Sequence, residues 1–283
     1  MKKLFKQKSF YFSSAVLIFS CLGLFLNPIE AKADAFTVCG TTWDDPEDKF
    51  CSKTPDKYEI KISEMGLCTA EPFTIDNPSD SLEDQIFSAY SLANCHITMK
   101  PSSPVTVDLS SGFVNLGNQG GTKPANDTYT HAYIKLNNTF GLRGSHTIDS
   151  QTFYSNTDGS AVKDQAGGAK NFTDTLTSFD SESCSRSAAG DVGTGNMRAM
   201  LLSSDSTRAT CSGNSSNATQ ILVSFDPSSD IVITDSIAGL EAKFKVINAG
   251  LSVDGEEDSD GNTCSVKICT FSSGPFRPSF TTY

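Results

Sequence analysis

The sequence is poor in the residues and spacings that most catalytic and metal-binding motifs require. It holds three histidines and no His-x-x-x-His pair. It also has no Cys-x-x-Cys pair, no Gly-x-Ser-x-Gly motif, and no third glycine to complete Gly193-Thr194-Gly195. Zinc sites, serine hydrolases and dinucleotide-binding folds normally carry those patterns. We therefore predict a non-enzymatic protein without an organic cofactor; paired carboxylates of a glycosidase type are the alternative, because sequence does not show their separation in space.

Long apolar runs are also missing. The longest, from Phe10 to Leu26, has 17 residues, fewer than the roughly 20 that a membrane-spanning helix needs. Four lysines and no acid lie in the eight residues that open the chain, and small residues follow the apolar run. This order is typical of a signal peptide. We predict removal of residues 1–33 by cleavage between Ala33 and Asp34, with a cut before Phe36 as the alternative. We also predict no membrane span after processing and a secreted or cell-surface protein, periplasmic or extracellular.

Basic residues are scarce in the predicted mature chain. Residues 1–33 contain five lysines and one glutamate of a total of 22 basic and 33 acidic residues, so 17 basic and 32 acidic side chains remain, a net charge of −15. Such a surface repels phosphate backbones. The composition therefore predicts no nucleic-acid partner.

Cysteine, in contrast, is abundant in this chain. Without Cys21, the mature chain contains eight. An even number in an exported chain indicates up to four disulfides. Eight cysteines allow 105 pairings, and nearest-neighbour pairing closes the shortest loops. An offset of five would place the side chains of Cys264 and Cys269 on opposite faces if both lay in one straight strand. The predicted pairs are Cys39–Cys51, Cys68–Cys95, Cys184–Cys211 and Cys264–Cys269.

Short runs rich in β-branched and aromatic residues, separated by Gly, Ser, Asn, Asp and Pro, predict strands and turns. In the stretches starting at Tyr58 and at Leu240, apolar and charged residues alternate, so one face of each strand is expected to be buried and the other wet. We predict a mainly β protein, an antiparallel β-sandwich, either one interrupted unit or two closely packed ones. The predicted strands are 58–63, 105–109, 129–136, 146–148, 219–225, 230–234, 240–248 and 265–271.

Two stretches do not show this pattern of short strands and turns. Leu82, Ile86 and Tyr90 have helical spacing, which predicts one short helix. Residues 155–216 are rich in Ser, Gly, Asn and Asp and predict a long irregular insertion that Cys184 and Cys211 tie down. The insertion divides the chain into a β-sandwich region at 36–154 and a second β region at 217–283.

The segment Val105–Leu109, a Gly/Asn-rich turn, and Pro124–Leu136 together resemble the strand, Pro-Ala-Gly-x-Tyr turn and strand of transthyretin-like (prealbumin-like) sandwich modules of secreted bacterial proteins. Asn126-Asp127 replaces the glycine, and both residues tolerate turn geometry. The likeness covers about 30 residues of 283. It implies a sandwich in the 36–154 region, with Tyr129 in its core, and by analogy a role in surface display or attachment.

Acidic residues cluster between Asp254 and Asn262, where Glu256, Asp258 and Asp260 alternate ahead of Gly261. Alternating carboxylates before a glycine are one way to surround calcium. An EF-hand is excluded because its twelfth position would be Lys267. A looser calcium loop and a solvated hairpin tip both remain open.

Taken together, these features predict a secreted non-enzymatic β protein, structural (a subunit of an appendage or matrix) or adhesive, that associates with itself or with other surface proteins. A secreted carbohydrate- or calcium-binding protein is the alternative.

Overall fold

β-Strands make up most of the regular structure in residues 37–42, 50–111, 120–180, 183–255 and 268–283, which are the residues that the computed structural model of the chain describes. Two 3-10 turns, Leu82–Asp84 and Leu109–Ser111, are the helical elements of these ranges. The strands of the amino-terminal half are β1 (Phe50–Lys53), β2 (Lys57–Cys68), β3 (Phe73–Ile75), β4 (Phe87–Tyr90), β5 (Cys95–Met99), β6 (Val105–Asp108), β7 (Asp127–Tyr129), β8 (His131–Asn137), β9 (Thr139–Arg143) and β10 (Ser145–Ile148). They are followed by β11 (Gln151–Ser155), β12 (Ala161–Lys163), β13 (Phe172–Thr175), β14 (Ser187–Asp191), β15 (Gly195–Leu202), β16 (Cys211–Ser212), β17 (Ser215–Ser216), β18 (Gln220–Pro227), β19 (Ile231–Ile233), β20 (Leu240–Lys245), β21 (Leu251–Asp254), β22 (Thr270–Ser273) and β23 (Arg277–Thr282).

The central sheet has nine strands and is organised around β2. Strands β8 and β9 follow each other along one edge of β2, and β5 and β6 lie along its other edge, all antiparallel. The register with β8 shifts between Ile62 and Glu64, which marks a bulge. A bulge bends the strand, so β2 can stay paired on both edges over its 12 residues while the sheet curves.

The sheet branches where β8 meets β9. From β8 it continues through β18 and β15 to β14, whereas β9 pairs with β13. The branch point is Asn138, which is 4% exposed. Its side-chain amide donates to the carbonyls of Leu176 and Ala218, both at 3.0 Å. Its backbone bonds to the same two segments, donating to Thr219 and accepting from Leu176. One asparagine therefore ties the two branches together.

Both faces of the central sheet are covered by apolar contacts. One face carries the largest cluster, in which Ile60, Ile62 and Ile134 pack with residues of the β1–β21–β22 and β10–β11–β12 sheets, such as Phe153 and Phe271. On the other face, residues of β2, β8, β15 and β18 pack against the β3–β4 hairpin. This layered, mainly β architecture confirms the predicted fold class, and the expected alternation is clear in β2, where Tyr58, Ile60 and Ile62 are buried.

The stretch 155–216 differs from the prediction of an irregular insertion. It contains β12 to β17, and three of these, β13, β14 and β15, belong to the central sheet. Strand β14 has the sequence Ser-Ala-Ala-Gly-Asp, which carries no strand signal of its own, and it forms through its pairing with β15. Because the same sheet also takes strands from 36–154 and 217–283, the predicted region boundaries do not separate different sheets.

The short helix predicted from the spacing of Leu82, Ile86 and Tyr90 is present only at its start. Only Leu82–Asp84 forms a 3-10 turn, and Phe87–Tyr90 is strand β4. Phe87 is fully buried and stacks on Phe73 with ring centroids 5.1 Å apart, whereas Ile86 is half exposed. Burial against a distant strand therefore outweighs the local helical spacing.

The segment that resembles transthyretin-like modules contributes β6 and β8 to the central sheet. Tyr129 is buried, at the end of β7, and its hydroxyl donates to the carbonyl of Ala125. The resemblance itself stays a prediction. No helix in the described ranges is long and apolar enough to cross a membrane.

Candidate functional site

Three of the four predicted disulfides are confirmed: Cys39–Cys51, Cys68–Cys95 and Cys184–Cys211. Cys269 is disulfide-bonded, but Cys264 lies outside the described residues, so their pairing stays a prediction. The candidate calcium ligands Glu256, Asp258 and Asp260 also lie outside the described residues, as do the predicted cleavage-site residues Ala33 and Asp34. The structure therefore directs attention to polar side chains that the sequence did not single out.

The Cys68–Cys95 disulfide closes the base of an excursion from β2 to β5. We call residues 69–94 the covering lobe, because its β3–β4 hairpin packs on the central sheet. Its aromatic side chains Phe73 and Phe87 contact the cluster that contains Tyr133 and Met200. The lobe also places one carboxylate, that of Glu71, against the sheet.

Glu71 is the centre of an ion-pair network under the covering lobe. Its Oε2 lies 2.9 Å from Arg198 Nη1 on β15 and 3.3 Å from His131 Nε2 on β8. Arg198 Nε also donates to Gln85 Oε1 at 3.0 Å, and the backbone N–H of Phe73 donates to Glu71 Oε1. Burial pushes the pKa of Glu71 up, but the hydrogen bonds and positive neighbours outweigh it and hold the pKa below its usual range. The network therefore fastens the lobe electrostatically to two strands.

The neighbourhood of His131 has part of the geometry of a catalytic triad. Thr130 Oγ1 lies 2.8 Å from His131 Nδ1, and Glu71 contacts the other ring nitrogen. In a triad the carboxylate orients the imidazole and stabilises its charge. Here Arg198 shares the same carboxylate oxygen, and the side chains of Glu71, His131 and Arg198 are between 12% and 17% exposed. This arrangement is better suited to holding the covering lobe on the central sheet than to admitting a substrate.

A second carboxylate, that of Glu64 on β2, lies on the same face of the sheet and is buried. Tyr133 donates to its Oε1 at 2.9 Å, and Lys100 Nζ lies 2.7 Å from its Oε2. Burial raises the pKa of Glu64, but the bonds from Lys100 and Tyr133 outweigh burial, so the pKa lies below normal. Burial and the bond to Glu64 raise the pKa of the Tyr133 phenol. Both groups therefore hold their ordinary charge states at neutral pH.

The apolar contacts between the central sheet and the β20–β23 ribbon leave a small cavity. It is lined by residues such as Met65, Val223, Phe244 and Phe280, and its volume is about 10 Å³. That space accommodates about one water molecule. This cavity is too small for a sugar or other organic ligand.

His146 on β10 is the most unusual polar residue that the structure describes. Its side chain is 4% exposed, and neither ring nitrogen makes a hydrogen bond within the described ranges. Its ring lies beside the Cys39–Cys51 disulfide, with the nearest ligand-type atoms of the three residues within 4.8 Å of one another. Sequence analysis missed this cluster, because the three residues have no recognisable spacing along the chain.

Burial is also the main reason why the pKa of His146 falls from 6.5 to about 4. The positive charge of Lys53 adds to this shift, while the Gly40 backbone opposes it in part, although its contact falls short of hydrogen-bond geometry. At neutral pH the ring is therefore uncharged.

This shift predicts a pH-dependent stability. The ring is neutral in both folded and unfolded chains above its ordinary pKa, and below it the unfolded chain binds a proton that the folded chain resists. Stability is therefore complete above about pH 6.5 and falls toward pH 4. Between about pH 7.5 and about pH 5 we expect a loss of about 2 kcal/mol in denaturant unfolding. The variant His146→Gln should abolish most of this dependence; an unchanged pH dependence in that variant would refute the assignment.

Comparison with known proteins supplies no family for this chain. No protein-family model, no curated protein and no solved structure matches it.

Proposed function

We propose that this protein is a secreted, non-enzymatic β protein of the extracellular space or cell surface, with a structural or adhesive role that includes self-association. Three disulfides in a mainly β fold fit an oxidising environment outside the cytoplasm. The proposed self-association depends on one feature, the edge of strand β20 that is unpaired within the described part of the chain.

The non-enzymatic part of the proposal is supported by the two carboxylates that lie against the central sheet. Glu64 and Glu71 are each compensated by a cation, Lys100 and Arg198 respectively. Catalytic carboxylates of hydrolases instead tend to have raised pKa values, or to lie in open clefts. Both carboxylates here have lowered pKa values and hold parts of the fold together.

Strand β20 pairs with β23, and among the described residues no other strand pairs with it. The backbones of Gly239 and Tyr283 donate hydrogen bonds to each other. This pair sets which of the following residues of β20 are hydrogen-bonded to β23 and which are not. Given the register, residues 241, 243 and 245 bond to β23, and the backbone groups of Leu240, Ala242 and Phe244 point away from it. Such a row of backbone donors and acceptors can take a further strand from another chain.

The charges on β20 restrict what that further strand can be. Lys243 and Lys245 are exposed, and Glu241 forms an ion pair with Lys243 at 2.8 Å. Charged residues on an edge strand discourage indiscriminate pairing. A partner strand with acidic residues complements the two lysines, and a second copy of this acidic chain offers many. We therefore propose strand addition between copies.

The test is the assembly state of the oxidised, exported protein, followed by negative-stain imaging and sedimentation. We expect ordered fibres or oligomers from the wild-type protein, and monomers from Ala242→Pro, because proline removes an outward-pointing N–H and not a bond to β23. Thr281→Ala is the matched control, since it changes an exposed side chain of β23 and leaves the charges and backbone donors of β20 unchanged. Circular dichroism and denaturant unfolding check that both variants fold.

Two results would contradict the proposal in different ways. Assembly that survives in Ala242→Pro would exclude the β20 edge as the contact. A monodisperse wild-type monomer whose melting temperature rises with millimolar calcium would instead favour a secreted calcium-binding protein.

A further inference from the structure

The Cys39–Cys51 disulfide joins two neighbouring extended segments. Residues 37–39 lie alongside β1, where Val38 bridges Ser52 and the N–H of Cys39 donates to the carbonyl of Ser52. The two cysteine Cα atoms are 4.9 Å apart. Cys51 is 3% exposed and belongs to the main apolar cluster. Cys39 is partly exposed, so the disulfide has one sulfur in the core and the other within reach of solvent.

His146 reaches the same place from a different sheet. It lies on β10 and pairs across the hairpin with Phe153 on β11. Its ring enters the core with both nitrogens lacking a hydrogen-bond partner in the described part of the chain. A buried polar group left in this state costs about 1–3 kcal/mol, and native proteins hold few of them. The burial of the His146 imidazole beside two sulfur atoms, without a hydrogen-bond partner, therefore needs a chemical explanation.

We propose that Cys39, Cys51 and His146 form a zinc site once the Cys39–Cys51 disulfide is reduced. Two thiolates and one neutral imidazole are ligands that Zn²⁺ prefers, and three protein ligands leave a fourth position for water. The donor atoms already lie within 4.8 Å of one another. Two Zn–S bonds of about 2.3 Å at a tetrahedral angle place the sulfurs about 3.8 Å apart. The Cα separation accommodates that distance by side-chain rotation.

The chemistry proceeds in two balanced steps. A dithiol reductant transfers two electrons and two protons to the disulfide, so that the Cys39–Cys51 S–S bond breaks, two thiols form and the reductant becomes a disulfide. Zn²⁺ then displaces one proton from each thiol, and both protons pass to solvent. One imidazole nitrogen becomes a ligand without losing a proton. The oxidised chain holds no such site, because the sulfurs are bonded to each other.

The local charges permit this ligand set. Lys53 is the cationic group that acts on His146, and its positive charge opposes a metal ion. Two thiolates outweigh one lysine, and the lysine charge helps to stabilise the thiolates before zinc arrives. Calcium is not expected here, because it requires oxygen ligands. The proposed zinc site is therefore distinct from any calcium loop in the 254–262 segment, and it does not depend on the proposed structural role.

The experiment measures zinc protection of individual cysteines in the full chain. The protein is reduced with a dithiol, the dithiol is removed under anaerobic conditions, and alkylation of each cysteine is followed by mass spectrometry with and without ZnCl₂. We expect zinc to slow alkylation of Cys39 and Cys51 by about tenfold or more in the wild-type chain, and His146→Gln to remove that protection. The other cysteines serve as internal references. His96→Gln is the matched control, because His96 is partly exposed and bonds to Thr122 away from the cluster.

Two further readings keep the result decisive if the reduced chain loses structure. Disulfide mapping and circular dichroism of the oxidised His146→Gln variant establish that the substitution itself permits folding. Co²⁺ added to the reduced chain should give thiolate-to-cobalt absorption that weakens in His146→Gln and not in His96→Gln. Equal zinc protection in the wild-type and His146→Gln chains, or no protection of Cys39 and Cys51 in the wild type, would overturn the proposal.

Discussion

Replacing Asn138 by alanine should destabilise the protein by about 2–4 kcal/mol, because one buried and one partly buried carbonyl lose a hydrogen-bond donor. The side-chain amide of Asn138 bonds to Leu176, which follows β13, and to Ala218, which precedes β18. These carbonyls belong to the two branches of the central sheet. Loss of the amide leaves both unsatisfied and a small void at the branch point. Denaturant unfolding followed by circular dichroism measures the effect.

The neighbouring Asn137 is a matched control for this substitution. It is the last residue of β8, it is partly exposed, and its side chain makes none of the contacts that tie the branches. We expect Asn137→Ala to change the free energy of unfolding by less than about 0.5 kcal/mol. Similar losses in the two variants would mean that asparagine at the branch has no special role.

Removal of the Cys68–Cys95 disulfide by a double Cys→Ala substitution should have an effect of similar or larger size. A closed loop of 27 residues predicts a loss of about 3–4 kcal/mol from chain entropy alone. Cys68 is also fully buried in the cluster under the covering lobe, so its truncation adds a packing cost. We expect faster proteolysis within residues 69–94 and a lower midpoint of denaturant unfolding.

The Cys184–Cys211 disulfide provides a closely matched comparison, because it also spans 27 residues. Chain entropy therefore predicts the same loss for both double variants. Cys211 is exposed, so its removal adds no cavity. We expect the Cys68/Cys95 variant to be less stable than the Cys184/Cys211 variant. Equal losses would show that burial of Cys68 contributes nothing beyond the covalent link.

Much of the fold was predictable where a strand buries one face only. The alternation in Tyr58-Glu59-Ile60-Lys61-Ile62 gives the central strand correctly, since its apolar residues face one cluster. The same reasoning fails for β14, whose small residues have no alternation and depend on β15 for pairing. It also fails at Phe87, where a contact with Phe73 decides the structure. Local patterns do not contain these long-range contacts.

Of the candidate functional residues, only the cysteines and their pairing could be predicted from the sequence. Nearest-neighbour pairing succeeded for three disulfides because each links segments that lie close along the chain. Glu71 and Arg198 are 127 positions apart, and His146 lies far from both Cys39 and Cys51. Their proximity arises from the order of strands in the sheets, which composition and spacing do not encode.

The branched sheet also determines when the chain can fold. Strand β2 pairs with one edge of β8, and the other edge of β8 pairs with β18, which lies much later in the chain. Strand β8 is therefore paired on both edges only after β18 has been made. Most of the polypeptide must therefore be present before the central layer closes. Pairing between such distant segments makes folding slow, because the entropy of large loops is lost before contacts form. A newly emerging chain consequently keeps apolar strands uncovered for most of its synthesis, and it depends on protection from aggregation until the residues of β18 have been made.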